Sequence, residues 1–222
     1  MNLQAAIFDM DGLLIDSEPL WHKAEIAVFA TVGLHLTTDQ CRETTGVRID
    51  EVVRIRHRQK PWHGKSIELV ESEIVAEVER LTLSEGAAMP GVYALLEHFA
   101  SAGVRMAVAS SSPAPMIEAV VNHLGIARYF ETLCSAADEE HGKPHPAVYL
   151  SAARALRVEP GHCLAFEDSI PGVQAAHAAG MTVIAVPDAH HFARPEYGIA
   201  AQKLKSLVEF NPSAYLQLPE GA

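Results

Sequence analysis

The feature that most constrains this chain is a single strand set apart from the rest of its sheet. Gln4–Phe8 is an apolar, strand-like run that ends at once on Asp9-Met10-Asp11-Gly12. No second strand follows. For about 70 residues, from Ser17 to Glu85, the pattern is helical. Pro19–Val32 and Ile49–Gln59 have helical periodicity, and Ser66–Leu83 spaces Ile67, Val70, Ile74, Val78 and Leu81 along one face. Ser66 can cap that last helix, with Glu68 and Glu71 near its positive end. Strand-like runs then resume at Val104–Ala109, Glu131–Ser135, His162–Phe166 and Thr182–Val186. Between them lie helical stretches at Gly91–Ala102, Pro115–Leu124, Ala147–Leu156 and Gly172–Ala179. Strands alternating with helices at this spacing build βαβ units, so the expected fold is α/β: a Rossmann-like parallel sheet with helices on both faces. The helical insert, residues 17–85, is expected to cap the C-terminal end of the first strand. Residues 1–16 and 86–222 form the discontinuous core, and Asp16–Glu18 and Gly86–Pro90 act as hinges.

Composition narrows the function classes. The 222 residues carry 17 Lys plus Arg against 28 Asp plus Glu, a formal charge of -11. General binding to nucleic acid or an anionic membrane needs a basic face, and this balance argues against both. There is no apolar run of about 18 residues to span a bilayer. A signal peptide would not reach Asp9 and Asp11 so soon. Cys41, Cys134 and Cys163 are widely spaced and odd in number, as expected of reduced thiols in a cytoplasmic protein.

Four polar pieces fall at predicted strand ends, where ligands bind in open α/β sheets. Asp9 and Asp11 are the first, two carboxylates that repel unless a hard cation such as Mg²⁺ or a shared proton relieves them. The alternative is a solvated turn. The second is Ser110-Ser111-Ser112-Pro113, whose hydroxyls and free N–H groups precede a helix and suit an anion; alternatively, Ser112 only caps that helix. The third is His141-Gly142-Lys143-Pro144, where the proline stiffens a loop that carries Lys143. The fourth is Phe166-Glu167-Asp168-Ser169, a second carboxylate pair on the same rim. Elsewhere, Trp21 and Trp62 are either core packing or aromatics facing a sugar. Arg54, Arg56 and Arg58 read as a solvated helix face, and His190 and His191 as a surface loop.

In this order, Asp9-Met10-Asp11-Gly12, Ser110, Lys143-Pro144 and Glu167-Asp168-Ser169 resemble the haloacid dehalogenase-like hydrolase superfamily, in its branch with a helical cap. Ser169-Ile170-Pro171-Gly172-Val173-Gln174 supports the same resemblance. The stretch Asp11–Trp21 and the segment Gln59-Lys60-Pro61-Trp62 are most similar to the bacterial hexitol and 2-deoxyglucose-6-phosphate phosphatases. The resemblance implies a Mg²⁺-dependent phosphomonoester hydrolase acting on a small phosphorylated metabolite, a sugar or sugar-alcohol phosphate. In it Asp9 is the nucleophile and Asp11 the general acid and base. Ser110, Ser111 and Lys143 hold the phosphate. The metal takes Asp9, the Asp11 carbonyl and Asp168, with Glu167 adding an oxygen directly or through water. Trp21 and Trp62 are the cap's specificity candidates, and cap access favours a monomer. Dehalogenating members lack the second acid, so Asp11 points to phosphoryl chemistry. The β-phosphoglucomutase alternative fits less well: Trp21 stands where that branch has a cap His, and Ile67–Glu85 holds Arg80 but no Lys. Phosphoglycolate and nucleotide phosphatases are further alternatives. A non-catalytic binding or regulatory module would be marked by loss of Asp9, Asp11, Lys143 or Asp168, and all four are present.

Overall fold

The apolar runs assemble into a parallel sheet in the computed structural model, which describes residues 3–216. Its strands are β1 (Ala5–Phe8), β2 (Arg105–Ser110), β3 (Thr132–Ser135), β4 (Cys163–Glu167), β5 (Thr182–Ala185) and β6 (Gln202–Lys203). They lie in the order β3-β2-β1-β4-β5-β6, and every pairing is parallel. β1 pairs with β2 on one side and β4 on the other, so the sheet reverses its winding there. That switch point is where α/β sheets open a crevice. β6 is too short and polar to leave a sequence signal. It is held by backbone bonds from Ala201 N–H to Val183 O at 2.9 Å and from Leu204 N–H to Ala185 O at 2.8 Å.

The helices are α1 (Glu18–Thr31), α2 (Thr38–Arg42), α3 (Ile49–Gln59), α4 (Ile67–Glu85), α5 (Val92–Ser101), α6 (Ala114–His123), α7 (Ala147–Ala155) and α8 (Ile170–Ala178). α2 is an addition to the expected set. It is a short helix made by a capping box, in which Thr37 Oγ1 accepts from Gln40 N–H and Gln40 Oε1 accepts from Thr37 N–H. Ser66 caps α4 as anticipated, its Oγ accepting from Leu69 N–H at 3.1 Å.

Alternation along the strands sorts two cores onto the two faces. Ala5, Ile7, Ala107, Ala109, Ala165 and Ala185 face α7 and α8. Alanines on both the sheet and these helices allow close approach. Phe8, Val108 and Phe166 face α5 and α6. Phe8 and Phe166 stack at 4.9 Å, and Phe99 meets both edge-on. All this burial makes the strand ends rigid supports for the polar residues beyond them.

α1 to α4 fill the interval between β1 and α5 and pack on one another, forming the helical cap. Their apolar cluster runs on into the α5–α6 face of the core. The two connections lie side by side: Asp16 N–H bonds Ala87 O at 2.9 Å, Met89 N–H bonds Leu14 O at 3.1 Å, and Ile15 bridges Ala88 in antiparallel fashion. Among the described residues, no helix is long and apolar enough to cross a membrane. Cys41, Cys134 and Cys163 are free thiols.

Candidate active site

Asp9 follows β1 directly and is only 6% exposed, so it does not belong to a solvated turn. Its Oδ1 accepts from Lys143 Nζ at 2.6 Å. Lys143 lies almost wholly inside the protein and also donates to Glu167 Oε1 at 2.6 Å and Ala109 O at 3.0 Å. The loop before α7 thus sends one cation between the ends of β1, β2 and β4. The Tyr149 ring lies 5.1 Å from Nζ, and its hydroxyl donates to Glu167 Oε1 at 2.6 Å.

Glu167 sits on the same rim as Asp9 and Asp168, and its carboxylate is also tied to its neighbours. Besides those two donors on Oε1, its Oε2 accepts from Ser169 N–H and Ser169 Oγ, both at 3.1 Å. Four protein donors engage the carboxylate and leave it anchoring Lys143. A Cβ at Gly172 would run into it, so the first turn of α8 packs tightly over this group.

Asp168 turns towards the cleft beside Asp9. A Cβ at Gly12 would collide with Asp168 Oδ2, and Gly12 has a φ of 73°, which a side chain would strain. The glycine after the paired aspartates is thus required both by the turn and by the neighbouring carboxylate. Oxygens of Asp9, Glu167 and Asp168 all lie within 4.8 Å of one another. Burial pushes the Asp9 carboxyl up to about 8, with Lys143 pulling it back and Glu167 and Asp11 pushing it further. Asp168 is also raised, by burial first and then by Asp9 and Glu167. Burial would lower Lys143, but Asp9 and Glu167 outweigh it and hold the ammonium charged. Such a group of oxygens, short of positive charge, fits a hard divalent cation, which would return both aspartates to the ionised form.

Asp11 lies on the other side of the cleft mouth, between core and cap. Its Oδ2 accepts from Ser112 Oγ at 2.6 Å and, at 3.5 Å, from Ser110 Oγ. Its Oδ1 accepts from Ser17 Oγ at 2.6 Å and from the Trp21 indole N–H at 2.8 Å. Ser112 does not cap α6, whose N-cap residue is Pro113 with no side-chain bond. Ser110 is fully buried, its Oγ accepting from Ser112 N–H at 3.0 Å, and Ser111 Oγ reaches across to Gly46 O at 3.1 Å.

Asp9, Asp11, Ser111, Ser112, Lys143 and Asp168 floor a cleft whose roof comes from α1 to α3 and the loops between them, while Ser110 and Glu167 do not reach its lining. α1 presents Glu18, Trp21, His22 and Glu25 to it. These positions are i, i+3, i+4 and i+7, one face of the helix, a spacing present in the sequence but lying outside the strand ends. Trp62 takes no part in this lining. It is 7% exposed and packs within the cap, against Phe29 at 5.8 Å and His57 at 4.5 Å. That corrects its assignment as a specificity residue: the aromatic packs in the loop between α3 and α4, away from the cleft lining. Arg56 corrects a second expectation. Unlike Arg54 and Arg58, it is buried, donating to Gln40 O and, at 3.2 Å, to Gln59 Oε1. His190 and His191 wrap Asp188 in a surface turn, with His191 Nδ1 2.9 Å from Asp188 Oδ2.

The model of the haloacid dehalogenase-like hydrolase family matches residues 3–180. The chain belongs to this family. It is 40% identical over 209 residues to hexitol phosphatase B of Escherichia coli K12, covering 94% of each chain. It is 33% identical over 186 residues to the 6-phosphogluconate phosphatase of the same organism, covering 82% of this chain and 81% of that one. Among solved structures it resembles CbbY from Rhodobacter sphaeroides in complex with phosphate. That match has a TM-score of 0.87 at 28% identity and covers 97% of this hydrolase and 100% of that chain.

Proposed function

We propose that this hydrolase is a Mg²⁺-dependent phosphatase of small sugar or sugar-alcohol phosphates, working through an aspartyl phosphate on Asp9. The observation that carries the reading is the buried Asp9–Lys143–Glu167 chain with Asp168 at its flank and Asp11 facing it from the cleft mouth. Lys143, fixed by Glu167 and Tyr149, holds Asp9 Oδ1 in place and offers positive charge to the phosphoryl oxygens next to it. The other oxygen of Asp9 attacks phosphorus while the ester oxygen departs. Asp11 gives that alkoxide its proton, then takes a proton from the water that opens the acyl phosphate. Asp9 and Asp168, with the Asp11 carbonyl, would hold the Mg²⁺, which supplies Lewis-acid charge against the approaching dianion. Glu167 serves this site through Lys143.

The cap, proposed to be residues 17–85, supplies the organic half of the pocket. Its contacts to the core favour closure: Arg48 Nη1 donates to Ala136 O and Glu139 O, each at 3.2 Å. The phosphatase reading is supported over the mutase alternative by two observations. Trp21 occupies the α1 position that faces Asp11, and Arg80 lies on the outer surface paired with Glu77 at 2.7 Å. Similarity to a hexitol phosphatase supports the sugar-alcohol class. Turnover of a panel of phosphomonoesters, with Mg²⁺ and after chelation, tests this reading. Hydrolysis of sugar and sugar-alcohol phosphates that vanishes on chelation is expected. No release of phosphate from any phosphomonoester would refute it.

A further inference from the structure

Both halves of the cleft carry carboxylates, but only the core half holds a cation. Lys143 is the one Lys or Arg lining the cleft among the described residues, and it belongs to the core, spent on Asp9 and Glu167. The cap contributes no Lys or Arg to the lining. Arg42 and Arg194 line the neighbouring cavity, but each has its own carboxylate: Asp39 at 2.8 Å and Glu196 at 2.6 Å. What the cap does place in the cleft is acidic or neutral. Glu18 accepts from Thr45 Oγ1 at 3.3 Å, and the pKa of His22 beside it is lowered by burial and by Arg42.

Glu25 stands out among these groups. It lies two turns along α1 from Glu18, lines the cleft and is 6% exposed. Its carboxyl takes a hydrogen bond from the Cys41 thiol, yet Oε2 is buried with no partner at all. Arg56 acts on it electrostatically, but no ion pair joins the two: the Arg56 Nη atoms go to Gln40, Gln59 and Glu43, and its buried Nε has no partner. An acceptor so buried and left open, on the wall of a ligand cleft, calls for a donor that arrives with the ligand.

We infer that Glu25 is the specificity-determining residue for the part of the substrate remote from phosphorus. Its Oε2 accepts a hydrogen bond from a hydroxyl of an uncharged polyol or sugar chain. With Glu18 it repels substrates that carry a second anionic group there, such as aldonate phosphates or bisphosphates. Burial raises the Glu25 pKa to about 7, so near neutrality it is shared between a form that only accepts and one that also donates. Both suit a hydroxyl, and neither suits a carboxylate as well as a cation would. This inference rests on the phosphatase reading and adds to it which ester is preferred and why.

The test compares kcat/KM of the full chain on three esters: a hexitol phosphate, the aldonate phosphate of the same length, and nitrophenyl phosphate, which has no hydroxyls. The wild type should prefer the hexitol phosphate to the aldonate phosphate. Glu25→Leu should lower the ratio of hexitol phosphate to nitrophenyl phosphate turnover about tenfold, chiefly through KM, as loss of one hydrogen bond to substrate requires. Glu25→Gln keeps an acceptor without the charge. It should retain most of the hexitol preference over nitrophenyl phosphate and narrow the gap to the aldonate phosphate, and it carries the test if the leucine variant does not fold. Equal losses on all three esters in both variants, or a wild type that prefers the aldonate phosphate, would overturn the inference while leaving the phosphatase reading intact. A wild type inactive on all three would remove both.

Discussion

Glu25 also makes a prediction that needs no substrate. Its carboxyl is raised from 4.5 to about 7, and the first cause is burial. Between those values the folded protein keeps a proton that the unfolded chain has released. Stability must therefore fall as pH rises through this window, and the loss is complete above the folded value. At 1.36 kcal/mol per pH unit the whole effect is about 3 kcal/mol, of which about 2.5 falls between pH 5 and pH 8. Glu25→Gln removes this titration and leaves the other acids unchanged. The stability difference between variant and wild type should therefore move in favour of the variant by about 2.5 kcal/mol from pH 5 to pH 8, roughly 5–10 °C in Tm for a chain of this size. Urea denaturation of both proteins at the two pH values, with chelator present, measures it. Taking the difference cancels the titration of Asp9 and Asp168, and any fixed gain or loss from the amide. A difference that stays constant with pH would show that Glu25 is not desolvated in the folded protein, and the reasoning would fail.

Two further outcomes are expected. Chelation should abolish turnover, Mg²⁺ should restore it, and Ca²⁺ should inhibit because it favours looser, higher coordination; Asp168→Ala should shift the Mg²⁺ titration to higher concentration, and full activity after chelation would contradict the metal assignment. The two tryptophans should separate: Trp21→Phe, which removes the N–H on Asp11, should slow sugar-phosphate turnover about three- to tenfold with little change in Tm, whereas Trp62→Ala should lose about 3–5 kcal/mol of stability and leave the ranking of substrates as it was.

The sheet and its site were legible because the signals are local. Strand runs of four to six residues, each ending on a polar group, carry their own periodicity, and β1, β2, β4 and β5 appear within a residue or so of where the pattern puts them. Asp9, Asp11, Lys143 and Asp168 meet at one cleft because topology alone brings strand ends together. What a strand-end argument lacks is the direction in which a side chain turns once the loops fold. Glu167 and Asp168 are neighbours in sequence, yet one is consumed by Lys143, Tyr149 and Ser169 while the other faces the cleft. Ser112 reads as a helix cap but reaches back to Asp11. Arg56 sits in a basic run, and only the packing of α2 against α3 draws it inside. Trp62 and Trp21 are the same residue type, but Trp21 sits on the cleft-facing side of α1 while Trp62 lies in the loop between α3 and α4 and packs inward. The Glu18–Trp21–His22–Glu25 face was visible as spacing, but which side of α1 meets the sheet is settled by tertiary packing.

The proposed roles of Asp9, attacking phosphorus, and of Asp11, moving protons, are both open to one rapid-mixing measurement. A nitrophenolate leaves without a proton, whereas a sugar alkoxide does not. Asp11→Asn should therefore still be phosphorylated by nitrophenyl phosphate, and then hydrolyse slowly because water has lost its base. The expected record is a burst of about one nitrophenolate per enzyme followed by a much slower steady rate, with mass spectrometry placing the phosphoryl group on Asp9. On a sugar phosphate the same variant should barely react, and Asp9→Asn should give no burst with either ester. A burst labelled on Ser110, or equal losses on both esters with no burst in Asp11→Asn, would contradict the account.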